Sequence, residues 1–317
     1  MPDRIPNKSD ISRAADIIRP YINRTPVLTS TTFNRKFQSE LYFKCENFQK
    51  AGAFKSRGAV HAILHLSGEE RKKGVCTHSS GNHAQALARA ASIAGIPAYI
   101  VMPDNAPAVK VKAVNDYGGK ITFCKPTLED REDTLKEVKE QTGAVEIHPY
   151  DNYDIITGQA TATMELLEDM PELDMILCPV GGGGLLAGTA LAARYFGRKE
   201  IQVIACEPKG ADDAYRSFRK GEIIPSVKPD TIADGLLTSL GKRNFPVIRK
   251  YVTDIVTVSE QAIAEAMKLI YERMKIVIEP SSAVPLAAVI ENKADIADRK
   301  TGIIISGGNV DLTKLPF

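Results

Sequence analysis

Short runs of apolar, often β-branched residues recur along the chain, separated by longer stretches in which apolar positions return every three or four residues. The runs at 41–45, 75–77, 98–102, 121–124, 175–179, 203–206, 254–258 and 302–306 predict strands. Helical spacing marks 54–66, 82–94, 106–117, 128–141, 155–170, 185–196, 211–220, 260–275 and 282–291. Strands apolar on both faces, each followed by a helix, form parallel sheets covered by helices, so the fold class is α/β. No repeat or low-complexity tract breaks the rhythm. The stretch 221–234, with Pro225 and Pro229, predicts a long surface connection.

At 317 residues the chain exceeds one comfortable hydrophobic core, which favours two lobes. With 44% hydrophobic residues, 25% charged residues and a net charge of +2, it is an ordinary globular chain. That balance excludes disorder and charge-driven nucleic-acid binding. The apolar runs are too short to cross a bilayer, and the start MPDRIPNKSD has no apolar signal region. Five cysteines without a C-x-x-C pair read as free thiols in a reducing, cytoplasmic setting rather than as metal ligands.

Five stretches carry candidate chemistry. Residues 177–188 read LCPVGGGGLLAG, a strand end, then Gly181, Gly182, Gly183 and Gly184, then a helix opening at Leu185. Backbone N–H groups without Cβ obstruction, backed by a helix N-terminus, suit an anion such as a phosphate. The spacing fits neither G-x-x-x-x-G-K-[ST] nor G-x-G-x-x-G. A plain flexible turn is the bland alternative.

In KCENFQKAGAFKSRG, Lys55 falls in the first turn of a helix, where a cation opposes the dipole. Phe54 and the Gly-Ala pair before it favour a neutral amine, as a Schiff-base lysine requires. In THSSGNHAQ, Ser79, Ser80, Asn82 and His83 crowd a strand-to-helix turn where a carboxylate can be cradled; helix capping by Ser80 or Asn82 is the plainer reading. His83 reads as a structural hydrogen-bonding residue. Ser306 ends a strand before Gly-Gly, beyond which ligands of open α/β sheets gather. In VIACEPKGADD, Glu207, the Ala211 carbonyl and Asp213 offer hard oxygens for Mg²⁺ or Ca²⁺, against a capping role for Asp212 and Asp213.

In this order the motifs KCENFQKAGAFKSRG, SSGNHAQ, PVGGGGLLAG, EPKGADD, IADG, ERMKIVIEPSSAV and SGGNVD resemble the fold-type II pyridoxal-phosphate enzymes, in the serine racemase and serine/threonine dehydratase branch. The resemblance spans nearly the whole chain. It implies a large cofactor-binding domain from 1–67 and 152–317, a small domain at 68–151, two open twisted, mainly parallel sheets, and a homodimer. By motif position, Lys55 carries the cofactor, Phe54 packs near its ring, Asn82 bonds its O3′ and Ser306 meets the pyridine nitrogen. Gly181 to Gly184 with Leu185 hold the phosphate.

The resemblance further implies that Ser80 is the acid/base opposite Lys55, where threonine dehydratases usually have alanine. Ser79, Ser80, Asn82, His83 and Arg131 then meet the substrate, a small hydroxy-amino acid. Glu207, Ala211 and Asp213 match a divalent-cation group for Mg²⁺, Ca²⁺ or Mn²⁺. Lys50, Gln85, Tyr117 and Lys275 match an ATP activator site, although Ala51 replaces a threonine there and Thr31-Thr32 alter a neighbouring segment. Tyr150 stands where these racemases commonly have asparagine. The expected activity is serine racemisation with dehydration to pyruvate and ammonia; the alternative is threo-3-hydroxyaspartate or threonine dehydration with little racemisation.

Overall fold

The computed structural model describes residues 4–79, 81–106 and 108–317. Each apolar run forms a strand there: β2 (Glu40–Cys45), β3 (Val75–His78), β4 (Ala98–Pro103), β5 (Lys120–Cys124), β7 (Met175–Pro179), β8 (Gln202–Pro208), β9 (Asp254–Val258) and β10 (Lys300–Ile305). Two strands are new, β1 (Val27–Thr29) and β6 (Val145–Glu146), both too short to leave a pattern. The first helices are α1 (Lys8–Ile18), α2 (Thr31–Phe37), α3 (Lys55–Leu64), α4 (Gly68–Lys73), α5 (Asn82–Ala94) and α6 (Ala108–Asp116). There follow α7 (Leu128–Thr142), α8 (Tyr153–Asp169), α9 (Gly184–Phe196), α10 (Asp213–Lys220), α11 (Asn244–Tyr251), α12 (Glu260–Met274) and α13 (Pro280–Ile290). The 221–234 connection holds no helix or strand up to the short turn Asp234–Leu236.

The strands form two sheets, ordered β1-β2-β10-β7-β8-β9 and β5-β4-β3-β6. Among the described residues every pairing between these strands is parallel except β1 on β2, so the class is α/β with mainly parallel sheets. The chain enters the smaller sheet at Val75 and leaves it at Glu146. One face of the larger sheet packs on α12 and α13 through residues such as Ile263, Met267 and Leu286. The other face packs on α8 and α9 through Ile156, Leu186 and Leu191. Among the described residues no helix is long and apolar enough to cross a membrane.

Helix α3 is the joint between the sheets and the site. A Cβ on Gly158 of α8 would lie 2.6 Å from the Gly58 Cα of α3, so the two helices cross at backbone contact and only glycine fits. Beside that crossing, the fully buried Arg57 guanidinium donates to both oxygens of Glu46 and both of Glu165, each at 2.8 Å. Lys44, also fully buried, donates to Glu165 and to the Thr25 carbonyl, both at 2.7 Å. Two cations thus balance two carboxylates in a dry interior.

Candidate active site

Lys55 is the first residue of α3, placed there by an antiparallel bridge of Ala53 with Gly307 and a 3.0 Å bond from the Phe54 N–H to the Ser306 carbonyl. Its Nζ donates to the Pro149 carbonyl at 2.8 Å and lies 5.1 Å from the centre of the Phe54 ring. Desolvation pushes the amine pKa down to about 8, with nearby Glu279 opposing.

Pro149 leads into Tyr150, whose ring and backbone lie against the glycine run: a Cβ on Gly182 would overlap the ring at 2.3 Å, and one on Gly184 would press on the Tyr150 backbone and Cβ at 3.0–3.2 Å. The Gly182 carbonyl is held by Asn244 Nδ2 at 2.8 Å and by the Gly241 N–H at 3.1 Å, while the same Asn244 nitrogen reaches the Tyr150 carbonyl at 3.1 Å. Gly183 turns the chain at φ +91°, a conformation side chains rarely adopt, and no side chain caps α9 behind it. The positive end of a 13-residue helix therefore opens into the run, at Gly184 and Leu185.

Ser306, buried, shares a 3.0 Å hydrogen bond with the hydroxyl of Ser282. Ser282 donates to the Gly307 carbonyl at 2.7 Å and accepts from the Gly307 N–H at 2.8 Å. Glu279 closes this side. Burial pushes its carboxyl up to about 7, with Asp234 adding to the shift. Asn82 opens α5 without capping it, and its Nδ2 donates to both Glu279 oxygens, at 2.9 and 3.0 Å. Asn309 donates to Asn82 Oδ1 at 2.9 Å.

The strand-to-helix turn before α5 is only partly open to description, because Ser80 lies outside the described residues. The Ser79 hydroxyl accepts from the Gly81 N–H at 3.3 Å. His83 faces inward: its Nε2 donates to the Ile147 carbonyl at 3.0 Å, and its buried Nδ1 has no partner among the described residues. Arg131, on α7, makes a long 3.5 Å contact to the Pro126 carbonyl. Among the described residues no hydrogen bond or ion pair joins it to Lys55 or Asn82.

The acidic cluster lies after β8. Glu207 accepts from the Ala214 and Tyr215 N–H groups at 2.9 and 2.8 Å, so it, and not Asp212, caps α10. Asp212 instead pairs with Arg216 at 2.7 Å. Asp213 is 1% exposed, and among the described residues neither carboxylate oxygen has a donor in hydrogen-bonding geometry. Burial pushes Glu207 up to about 9 and Asp213 up to about 6. Of the four nucleotide candidates, Lys50 lies in a short turn packed on α5, which carries the buried Gln85. Tyr117 follows α6, and Lys275 ends α12 with φ +61°.

Glu279, Ser282, Asn309 and Asn244 were not singled out in the sequence. The first three fall inside motifs quoted above, yet Glu279 meets Asn82 across 197 positions, a pairing no local pattern reports.

Comparison with known proteins identifies the family. Residues 18–307 match the family model described as pyridoxal-phosphate dependent enzyme. A serine racemase of Dictyostelium discoideum is 52% identical over 312 residues, covering 96% of this chain and 95% of that protein. A beta-hydroxyaspartate dehydratase of Paracoccus denitrificans is 47% identical, covering 99% of both. The structure of maize serine racemase superposes with a TM-score of 0.95 at 49% identity, covering 98% of this chain and 95% of that one. The chain belongs to the pyridoxal-phosphate dependent enzymes.

Proposed function

We propose that this chain is a serine racemase that also dehydrates serine to pyruvate and ammonia and is activated by a divalent cation. The observation that carries the reading is the meeting, around Pro149 and Tyr150, of a desolvated lysine amine with a glycine run that opens an uncapped helix. Those features fit pyridoxal phosphate: an amine of lowered pKa condenses with an aldehyde, and free N–H groups at a positive helix end take a phosphate dianion. In this reading Ser306 would offer the ring nitrogen a neutral hydroxyl, Phe54 would flank the ring, and Asn82 would meet the ring oxygen.

The bound cofactor supplies an electron sink that acidifies the substrate α-carbon. Lys55, as a free amine, takes or returns the α-proton on one face. The Ser80 hydroxyl does the same on the other, which inverts the centre. Ser79, Asn82 and His83 form the turn that orients the substrate carboxylate by its N–H groups. Loss of the β-hydroxyl as water, followed by hydrolysis of the dehydrated product, which takes up one water, diverts the same substrate to pyruvate and ammonia.

Asp213, Glu207 and the Ala211 carbonyl would hold Mg²⁺, Ca²⁺ or Mn²⁺; the two donorless buried oxygens of Asp213 support that assignment. Lys50, Gln85, Tyr117 and Lys275 would take ATP as an activator. Residues 68–151, which carry the second sheet, would be the small domain of each protomer of a cytoplasmic homodimer. The Dictyostelium and maize relatives support serine as substrate. The name of the Paracoccus relative favours a second reading, 3-hydroxyaspartate dehydration, in which Arg131 takes the second carboxylate.

A panel of serine, threonine and 3-hydroxyaspartate, followed for keto acid and product chirality with and without Mg²⁺, separates the two. The serine reading requires D-serine from L-serine, its loss in Ser80→Ala with dehydration surviving, and an Mg²⁺ response missing in Asp213→Ala. Turnover of 3-hydroxyaspartate alone overturns it.

A further inference from the structure

At the far end of the α3–α8 contact from the buried ion pairs lies a group with no part in the chemistry above. A ring nitrogen of His61, a ring nitrogen of His65 and a carboxylate oxygen of Asp154 lie within 4.8 Å of one another. The two histidines are four residues apart on α3 and so share one face of the helix. Asp154 reaches them from the first turn of α8.

Three observations make this more than a satisfied core histidine. His61 Nδ1 donates to the Asp154 carbonyl at 2.8 Å, and His65 Nδ1 donates to the His61 carbonyl at 3.0 Å. A carbonyl can only accept, so in each neutral ring the proton sits on Nδ1 and Nε2 keeps its lone pair, the arrangement by which outer partners prepare a metal-ligating imidazole. Asp154 is 6% exposed, yet among the described residues its Oδ2 has no hydrogen-bond partner. A buried carboxylate oxygen left without a donor is costly unless a cation serves it. Finally, His65 is exposed, which leaves the group an open side for entry and for a water ligand.

We propose that His61, His65 and Asp154 form a second metal site, for a borderline transition-metal dication such as Zn²⁺. Two imidazoles and one carboxylate are the donor set such ions prefer, whereas Mg²⁺ and Ca²⁺ take oxygens. Tetrahedral bonds of about 2.0–2.1 Å put ligand atoms roughly 3.4 Å apart, so from their present spacing of up to 4.8 Å the three groups would have to draw together around the ion. The ion would staple α3 to α8 six and ten residues beyond Lys55.

The test uses tag-free, cofactor-loaded protein in excess Mg²⁺, titrated with Co²⁺ as a visible stand-in for Zn²⁺. One equivalent should bind with the red absorption of tetrahedral Co²⁺, and Zn²⁺ should bleach it. His65→Ala, at an exposed position that leaves the fold intact, should lose the band and weaken Zn²⁺ binding at least about tenfold. Asp154→Asn should lose the band while its circular dichroism stays unchanged. Zn²⁺ should also raise the melting temperature of the parent protein but not of His65→Ala. No binding in the parent, or a band unchanged in either variant, overturns the proposal.

Discussion

Replacing Arg57 by methionine is the most direct probe of what holds the lysine-bearing helix in place. Arg57 and Glu46 are both fully buried, and Glu165 is 12% exposed. With Arg57 gone, the charges sum to one Lys44 cation against two carboxylates. Lys44 still serves Glu165, but Glu46 keeps only the hydroxyl of Thr25. Breaking a buried pair by removing one partner costs about 3–5 kcal/mol, and methionine preserves helix propensity and much of the volume. Urea unfolding of the cofactor-loaded protein should show the midpoint fall at unchanged m. The double variant Glu46→Leu/Arg57→Met removes the stranded charge and leaves the Lys44–Glu165 pair, so it should recover at least half of the loss. A single-variant loss below about 1 kcal/mol, or a double variant as poor as the sum of the two singles, refutes the charge argument.

Gly182→Ala drives a methyl into the Tyr150 ring, so cofactor affinity, read by absorbance after dialysis, should fall by about tenfold or more; Tyr150→Asn in the same background should restore part of it. Covalent uptake of pyridoxal phosphate by the apoprotein should follow the neutral fraction of Lys55, rising with pH around a midpoint near 8 rather than 10.5, and a stopped-flow midpoint near 10 would count against desolvation. Burial holds His83 neutral down to about pH 3, while the unfolded imidazole titrates at 6.5. The unfolded chain therefore binds the extra proton between those values, and stability, present above about pH 6.5, is lost as the pH falls towards 3. His83→Gln should flatten that acid loss by up to about 1.4 kcal/mol per pH unit, read from urea midpoints between pH 4 and 7.

The fold was largely legible because its strands are buried on both faces and leave unbroken apolar runs, as at Met175–Pro179 and Lys300–Ile305. What escaped has a physical reason in each case. The strands Val27–Thr29 and Val145–Glu146 are too short for any period to show. The helix Gly68–Lys73 lies in a polar segment with no apolar period, and it is started by a capping box between Ser67 and Glu70. The glycine run and Lys55 stood out because their chemistry is local. Glu279 did not, because a carboxylate before a proline looks like any helix start until the fold brings Asn82 against it. Likewise, sequence spacing pointed to Asp212 or Asp213 as the cap of Asp213–Lys220, but the cap comes from the preceding strand, through Glu207. Asp213 is thus not needed as the cap, and among the described residues its buried oxygens have no partner in hydrogen-bonding geometry, which changes the meaning of the cluster.

Helix Lys55–Leu64 concentrates these demands on ten residues. Its first residue carries the reactive amine, its third anchors the buried charges, its fourth must be glycine to meet Gly158, and its seventh bonds the backbone of the partner helix. A helix fixed at so many points cannot shift at one end alone, so a packing lesion at Arg57 moves the amine only if it tilts the whole element. Activity per folded, cofactor-loaded molecule should therefore fall far less in Arg57→Met than stability does, because the Ala53–Gly307 bridge and the Phe54–Ser306 bond still register the start of the helix. Comparing turnover well below the melting temperature with the urea midpoint tests this. A turnover loss as large as the stability loss would mean that the charge cluster, and not the bridge to Gly307, positions the lysine.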